Sequence, residues 1–196
     1  MGFPFFTPLF IPSNEFVIYG EKKGDYTVKK VLEGQMVFPY FPVKLKDIAS
    51  ATLKYKTVKP DIKIKLGDTV VKTHRLKHPM ACLGYSVERM DSKFVHITDI
   101  EHGAKLDGSL VKFCKDADVM VYDCAYTPEE YKTKKGWGHS TWIEGCKLAE
   151  AANVKLLYLF HHDPSHSDIF MENILKQAQK EFKNTKLSRD HLEKWL

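Results

Sequence analysis

The sequence predicts a layered α/β domain, and its hydrophobic pattern supports that prediction in two ways. Apolar and polar residues alternate from Thr52 to His74, with turn signals at Lys59-Pro60-Asp61 and Leu66-Gly67-Asp68, as in antiparallel strands with one buried face. From Leu110 onward the period changes, and amphipathic helices alternate with short apolar strands. Antiparallel strands followed by alternating helices and strands indicate a layered α/β architecture.

Individual elements follow from local signals along the chain. Prolines among aromatic residues favour irregular packed loops over residues 1–12 and 39–42. Besides those within 52–74, strands are predicted at 16–19, 83–89, 94–98, 119–122 and 155–160. Helices are predicted at 26–34, around 110–113, at 141–152, at 167–182 and after residue 188.

The C-terminal helices carry more specific expectations. Thr141 and Glu144 match a T-x-x-E capping box at the start of one helix, and Ser188 is expected to cap the last one. The helix over 167–182 is expected to turn four apolar side chains inward: Ile169, Ile174, Leu175 and Ala178. With no internal repeat and no interior linker, a single domain is predicted over residues 1–196.

Length and composition bound the class of protein. A chain of 196 residues that is 43% hydrophobic can bury the core of one globular domain, which excludes low-complexity disorder. No apolar run reaches the roughly 18–20 residues that span a bilayer, and the apolar start lacks the basic region of a signal peptide. No CxxC pair occurs, so reduced core cysteines in a cytoplasmic protein are expected at Cys82, Cys114, Cys124 and Cys146.

Charge is distributed unevenly along the chain. Residues 1–77 contain 14 Lys and Arg against 7 Asp and Glu, whereas residues 78–196 contain 16 against 18. A basic half can attract a phosphate-bearing ligand over long range, although a lysine-rich solvated face explains the same charge. Nucleic-acid binding through this half is disfavoured because no docking motif accompanies the lysines.

Several ionisable residues lie where a predicted element meets a loop: His78, Asp99, His139, His161 and His162. Asp99 comes just as the strand over 94–98 ends, and His161 ends the apolar strand over 155–160. Imidazole with carboxylate is a ligand set that zinc and similar divalent metals accept. Local sequence alone favours a structural role for each histidine, and that role is assigned to His74, His96, His102, His166 and His191.

Three segments carry a family resemblance. LKHPMACLGYSVE at 76–88 resembles a segment in which a histidine ligand precedes a Gly-Tyr strand, and FVHITDIEH at 94–102 resembles a strand that delivers a metal-bridging aspartate. GWGHSTWIEGCKLAEAANVKLLYLFHHDPSHSD at 136–168 resembles a His-Ser-Thr helix followed by a strand that ends in a last histidine ligand. The order of these segments is similar to that in metallo-β-lactamase superfamily hydrolases, particularly the ribonuclease Z-like and cyclic-nucleotide phosphodiesterase branches.

The resemblance implies a fold and a metal site. The fold would be a metallo-β-lactamase-like αβ/βα sandwich that holds two divalent metal ions, zinc or else manganese. His78 would bind one ion and His161 the other, with His162 as the second choice, and Asp99 would bridge the two. His139 would donate a proton to the leaving oxygen of the substrate.

Two acidic residues are candidates for a supporting role around these ligands. A metal-bound imidazole usually donates its other ring N–H to an acceptor. Asp123 and Glu101 are the candidate acceptors in this sequence.

The chain departs from the family pattern at its start. Family members carry a His-x-His-x-Asp-His motif shortly before a segment like the Gly-Phe-Pro-Phe-Phe found at 2–6. The fold is therefore predicted to be N-terminally incomplete, with three ligand side chains for two cations and weak metal binding. Uncovered strand edges invite self-association, so a homo-oligomer is expected.

The resemblance also orders the candidate functions. Metal-assisted hydrolysis of a cyclic nucleotide or another small phosphodiester comes first. An RNA 3′ end is the second substrate, because no separate arm for a large RNA is apparent. A non-catalytic member acting as a binding or regulatory module is the other alternative, and metal content would distinguish it. A serine hydrolase is disfavoured because G-x-S-x-G does not occur.

Overall fold

The computed structural model describes residues 3–193 and 195. The chain forms two compact units, Met1–Lys59 and Pro60–Leu196, and the boundary falls at the predicted turn Lys59-Pro60-Asp61. Within the described residues, no helix has both the length and the apolar character needed to cross a membrane.

The first unit is built around a two-stranded sheet. Strands β1 (Glu15–Glu21) and β2 (Thr52–Val58) pair in parallel. The prediction that β2 belongs to an antiparallel run was therefore wrong. Helices α1 (Val28–Gly34) and α2 (Leu45–Ile48) lie between the two strands in the chain, and such a long connection is what allows two strands to run in the same direction.

The proline-aromatic start of the first unit is more regular than predicted. It forms two short 3₁₀ helices, Phe3–Phe5 and Thr7–Phe10, instead of an irregular loop. Leu9 within them is fully buried, as are Met36 and Leu45 farther along. The first unit therefore buries apolar side chains from both its N-terminal segment and its helical region.

The second unit contains a seven-stranded sheet whose strands lie in chain order. The strands are β3 (Lys63–Leu66), β4 (Thr69–Leu76), β5 (Cys82–Arg89), β6 (Ser92–Ile97), β7 (Val119–Asp123), β8 (Leu157–Phe160) and β9 (Thr185–Leu187). Pairing is antiparallel from β3 to β6 and parallel from β6 to β9. The change in pairing coincides with the predicted change from strand period to helix period.

Helices connect the parallel strands and pack with them into one core. They are α3 (Gly108–Cys114), α4 (Pro128–Tyr131), α5 (Trp142–Ala151) and α6 (Asp168–Glu181). Fully buried side chains from the sheet, such as Ile97, Met120 and Leu157, share this core with Leu148 of α5 and Ala178 of α6. The mixed sheet with its covering helices confirms the predicted α/β class.

Three details of the helix predictions were wrong. Among the described residues, Thr141 Oγ1 has no hydrogen-bond partner, so the capping box with Glu144 does not form. Ile169 is 77% exposed instead of inward, because the buried face of α6 runs through Met171, Ile174 and Ala178. The segment from Ser188 to residue 193 contains turns and no helix.

The strand directions determine where a site can form. Since β4 is antiparallel to β5 and β5 is antiparallel to β6, β4 runs the same way as β6. Strands β6, β7 and β8 are parallel to one another. The carboxyl ends of four strands therefore open at one edge of the sheet, the position at which open α/β sheets bind ligands.

Candidate metal centre

The four residues predicted as ligands or acid meet at this edge of the sheet. His78 follows β4, Asp99 follows β6, His161 follows β8, and His139 precedes α5. The Nε2 atom of His161 lies 4.0 Å from Oδ1 of Asp99. The His139 ring lies between the other two imidazoles, with its centroid 4.7 Å from that of His161 and 6.0 Å from that of His78.

The donor atoms at this edge have the spacing and chemistry of a metal site. In the described chain, two sets of three side chains bring one nitrogen or oxygen atom each to within 4.8 Å of the others: His78, Asp99 and His139, and Asp123, His139 and His161. Imidazole and carboxylate together suit zinc and neighbouring divalent metals. The Asp99 and His161 side chains are 42% and 36% exposed, which leaves this edge open to an ion and to a substrate.

Backbone conformation distinguishes two of these residues from ordinary strand ends. Asp99 and His161 have φ angles of 55° and 60°, in the left-handed region. Non-glycine residues adopt it uncommonly, although Asp and His do so more often than most. Such strained positions persist where the surrounding structure holds them and cluster at functional sites.

A glycine allows His78 to reach the site. Gly138 has a φ of 93°, and a Cβ atom built there would lie 2.6 Å from Nε2 of His78 and 2.8 Å from Cδ of Pro79. A real Cβ atom needs at least 3.4 Å for an ordinary contact. The absence of a side chain at Gly138 therefore lets the His78 imidazole pack directly against the loop that carries His139.

His139 has a buried carboxylate as its partner. Its Nδ1 atom lies 2.9 Å from Oδ2 of Asp123, whose side chain is fully buried. Asp123 also accepts hydrogen bonds from the backbone N–H groups of Ile100, Ala125 and Ser140. The sequence suggests Asp123 only as an acceptor for a ligand histidine, whereas in the structure its imidazole contact is with His139.

Glu101 contacts backbone and tyrosine. Its carboxylate accepts the N–H groups of Gly136 at 2.7 Å and Gly138 at 3.1 Å and the hydroxyl of Tyr131 at 3.0 Å. Burial alone would raise the pKa of Glu101, but these hydrogen bonds outweigh it and lower the pKa below the ordinary value. The sequence suggests that Glu101 accepts a hydrogen bond from a ligand imidazole. In the structure it accepts hydrogen bonds from the loop before His139 instead.

The second-choice ligand, His162, contacts a buried cysteine. Its Nδ1 atom lies 3.4 Å from Sγ of Cys124, and its Nε2 atom is buried with no hydrogen-bond partner among the described residues. Burial lowers the pKa of His162 below its ordinary value. Of the two adjacent histidines, His161 is the one beside Asp99.

The fold and the site define a class of protein: a layered α/β domain whose mixed sheet presents imidazole and carboxylate groups at the carboxyl ends of its strands. Comparison with known sequences gives the family: the profile of the β-lactamase superfamily domain matches residues 21–162, and the chain belongs to that family. The predicted resemblance and fold class are thereby confirmed.

Individual relatives and solved structures agree with this family. A ribonuclease Z from Thermoplasma acidophilum is 25% identical over 87% of this chain and 67% of its own length. A diphosphatase of the PhnP family has a TM-score of 0.66 at 18% identity, covering 98% of this chain and 64% of the other. Zinc-bound PqqB from Methylobacterium extorquens has a TM-score of 0.63 at 12% identity, covering 94% and 66%. The matched part of the chain spans between 26% and 72% of the length of the first curated relatives it matches.

Proposed function

We propose that this protein is a metal-dependent phosphodiester hydrolase that acts on a cyclic nucleotide or another small phosphodiester. The observation that carries the proposal is the pairing of His139 with the buried Asp123 directly beside His78, Asp99 and His161. That combination offers ligands for divalent ions and, next to them, a group able to transfer a proton.

The ligands in this proposal are His78, Asp99 and His161. Two zinc ions, or manganese ions, would be held with Asp99 between them; bound metal ions activate water and offset charge on a phosphoryl group. The exposed position of Asp99 and His161 suits entry of a hydrated ion. Zinc is the first choice because imidazole nitrogens predominate among the donors.

The proton donor in this proposal is His139. An ionised carboxylate can only accept hydrogen bonds, so with Asp123 ionised, Nδ1 of His139 would carry the proton in the 2.9 Å contact and Nε2 would be left for the substrate. In the imidazolium form, the Nε2–H of His139 can be donated to a leaving alkoxide. The hydrogen bonds from Ile100, Ala125 and Ser140 hold the carboxylate in place.

An RNA 3′ end is the second candidate substrate. It is favoured by the curated relatives, which include ribonuclease Z from Thermoplasma acidophilum. The diphosphatase of similar fold favours a small phosphorylated substrate instead. Hydrolysis of either substrate is a phosphoryl-transfer reaction, so the same metal ligands and the same proton donor serve both substrates.

A direct test uses the purified chain with zinc or manganese. Because three ligand side chains serve two cations, we expect weak metal binding and only slow, metal-dependent hydrolysis of bis(p-nitrophenyl) phosphate and of 3′,5′-cyclic AMP, and loss of both metal binding and turnover in Asp99→Ala. Cleavage of a 3′-extended RNA without cleavage of the cyclic nucleotide would move the function to the second candidate. Full metal binding and activity in Asp99→Ala would refute the ligand assignment.

His139 also belongs to both sets of donor atoms that could hold an ion, and His139→Ala separates the two roles. A p-nitrophenolate leaves without a proton, whereas the ribose alkoxide of a cyclic nucleotide needs one. As a proton donor, His139 should contribute roughly 10²–10⁴-fold to cyclic-nucleotide hydrolysis and little to hydrolysis of the p-nitrophenyl ester, with zinc content unchanged. Lower zinc content and equal losses on both substrates would make His139 a ligand.

A further inference from the structure

The segment before His139 donates two backbone hydrogen bonds to one side chain, that of Glu101. We define the glycine loop as residues 136–138, in which Gly136 and Gly138 have φ angles of 87° and 93°. The N–H groups of both glycines point to the Glu101 carboxylate, at 2.7 Å to Oε1 and 3.1 Å to Oε2. Neighbouring backbone N–H groups that converge on one anion form an anion-binding concavity, and here the anion is the carboxylate of Glu101, two of whose donors stand two residues apart.

The backbone of Glu101 connects to a second part of the site. Its N–H group donates a hydrogen bond of 2.7 Å to the carbonyl oxygen of Lys77, the residue before His78. Glu101 itself stands two residues after Asp99. One residue thus links the segments that carry His78, Asp99 and His139.

We propose that Glu101 is a positioning residue, which fixes the separation of His78, Asp99 and His139 by bracing the glycine loop. The proposal rests on the proposed function of that site. Glu101 is only 8% exposed, so water cannot readily replace its oxygens. Removing the carboxylate would leave two N–H groups of the loop without their acceptor, and the loop would open to satisfy them.

Trypsin provides a readout that does not depend on activity. Lys132 and Lys135 precede the loop and are exposed, and Lys134 lies between them. We expect Glu101→Ala to speed cleavage at these lysines by about tenfold or more relative to other sites, because a buried N–H group left without its acceptor favours the opened loop by roughly that factor. The digestion is carried out well below the thermal unfolding midpoint, and mass spectrometry of the fragments identifies the cleaved bond.

Graded and matched variants separate bracing from a general loss of stability. Glu101→Gln keeps the size of the side chain but only one acceptor oxygen, and Tyr131→Phe removes only the hydroxyl donor. The rate of loop cleavage in both variants should therefore fall between the rates in wild type and Glu101→Ala. Glu129→Gln is the matched control, because Glu129 lies on α4 near the loop, is 79% exposed and pairs with Lys132. It should stay within about twofold of wild type, as expected for an exposed ion pair.

Zinc affinity and kinetics connect the loop to the site. We expect Glu101→Ala to weaken zinc binding about 10–100-fold and to lower kcat more than it raises KM. Wild-type cleavage at the loop together with wild-type zinc affinity in Glu101→Ala would overturn the proposal. If Glu101→Ala unfolds, a failure of Glu101→Gln and Tyr131→Phe to show loop-specific cleavage would overturn it instead. If the wild-type protein hydrolyses no phosphodiester but loop cleavage is still graded across the variants, the proposed function is refuted. The positioning role of Glu101 in the loop is then still supported.

Discussion

The close approach of Gly138 to His78 gives a quantitative test of how the site is built. In Gly138→Ala, the new Cβ atom would lie 2.6 Å from Nε2 of His78, about 0.8 Å inside the 3.4 Å limit of ordinary contact. The glycine loop is held by Glu101, and the new Cβ atom would also lie only 2.8 Å from Cδ of Pro79, the residue that follows His78. We therefore expect the His78 imidazole to shift by nearly 1 Å.

The expected cost has two parts. Left-handed backbone costs an alanine roughly 1–2 kcal/mol relative to a relaxed conformation, which lowers stability. The displacement of the imidazole adds to this, since a misplacement of about 1 Å at an active site can cost on the order of 10²-fold in rate. Zinc affinity, measured by competition with a chromophoric chelator, and phosphodiester turnover should both fall on that scale.

The substitution Gly136→Ala separates the backbone cost from the cost of displacing the imidazole. Gly136 has a similar φ of 87°, but a Cβ atom there would meet nothing within 4 Å. Alanine retains the N–H group that Glu101 accepts, so this variant should lose stability by roughly 1–2 kcal/mol and keep zinc affinity within a few-fold. Equal effects of the two substitutions on zinc affinity, or wild-type affinity in Gly138→Ala, would refute the packing argument.

Three further outcomes follow from buried polar groups. Asp123→Asn should lower the free energy of unfolding by about 1.5–3 kcal/mol in urea titrations, because the Asp123 carboxylate accepts four hydrogen bonds; an unchanged midpoint would contradict this. Thr127→Ala should cost about 1 kcal/mol by removing the capping box of α4, whereas Thr141→Val should cost nothing, since its hydroxyl has no partner in the described structure. Only Cys82 should react with Ellman's reagent in the native protein, because three thiols are buried and burial raises the pKa of Cys114 to about 12 and of Cys146 to about 11; reaction of two or more thiols without denaturant would contradict this.

Local signals identify elements well and their partners poorly. The alternation over 52–58 correctly predicts a strand, yet pattern alone cannot tell that β2 pairs in parallel with β1. The T-x-x-E signature occurs at both Thr127 and Thr141. The capping box forms only at Thr127, because Thr141 is buried and its backbone bridges to Tyr126.

In the candidate site, too, some features follow from local sequence and others depend on which strands pair. Sequence by itself determined that Asp99 and His161 end strands, because an apolar run that stops at a polar residue is a local pattern. That His78 joins them depends on β4 running in the same direction as β6, which only the strand order decides. The roles of Gly138 and Glu101 were also decided by the tertiary structure. Their contacts are a close packing distance and hydrogen bonds to backbone N–H groups 35 and 37 residues away, and every residue except proline carries such a group whatever its side chain.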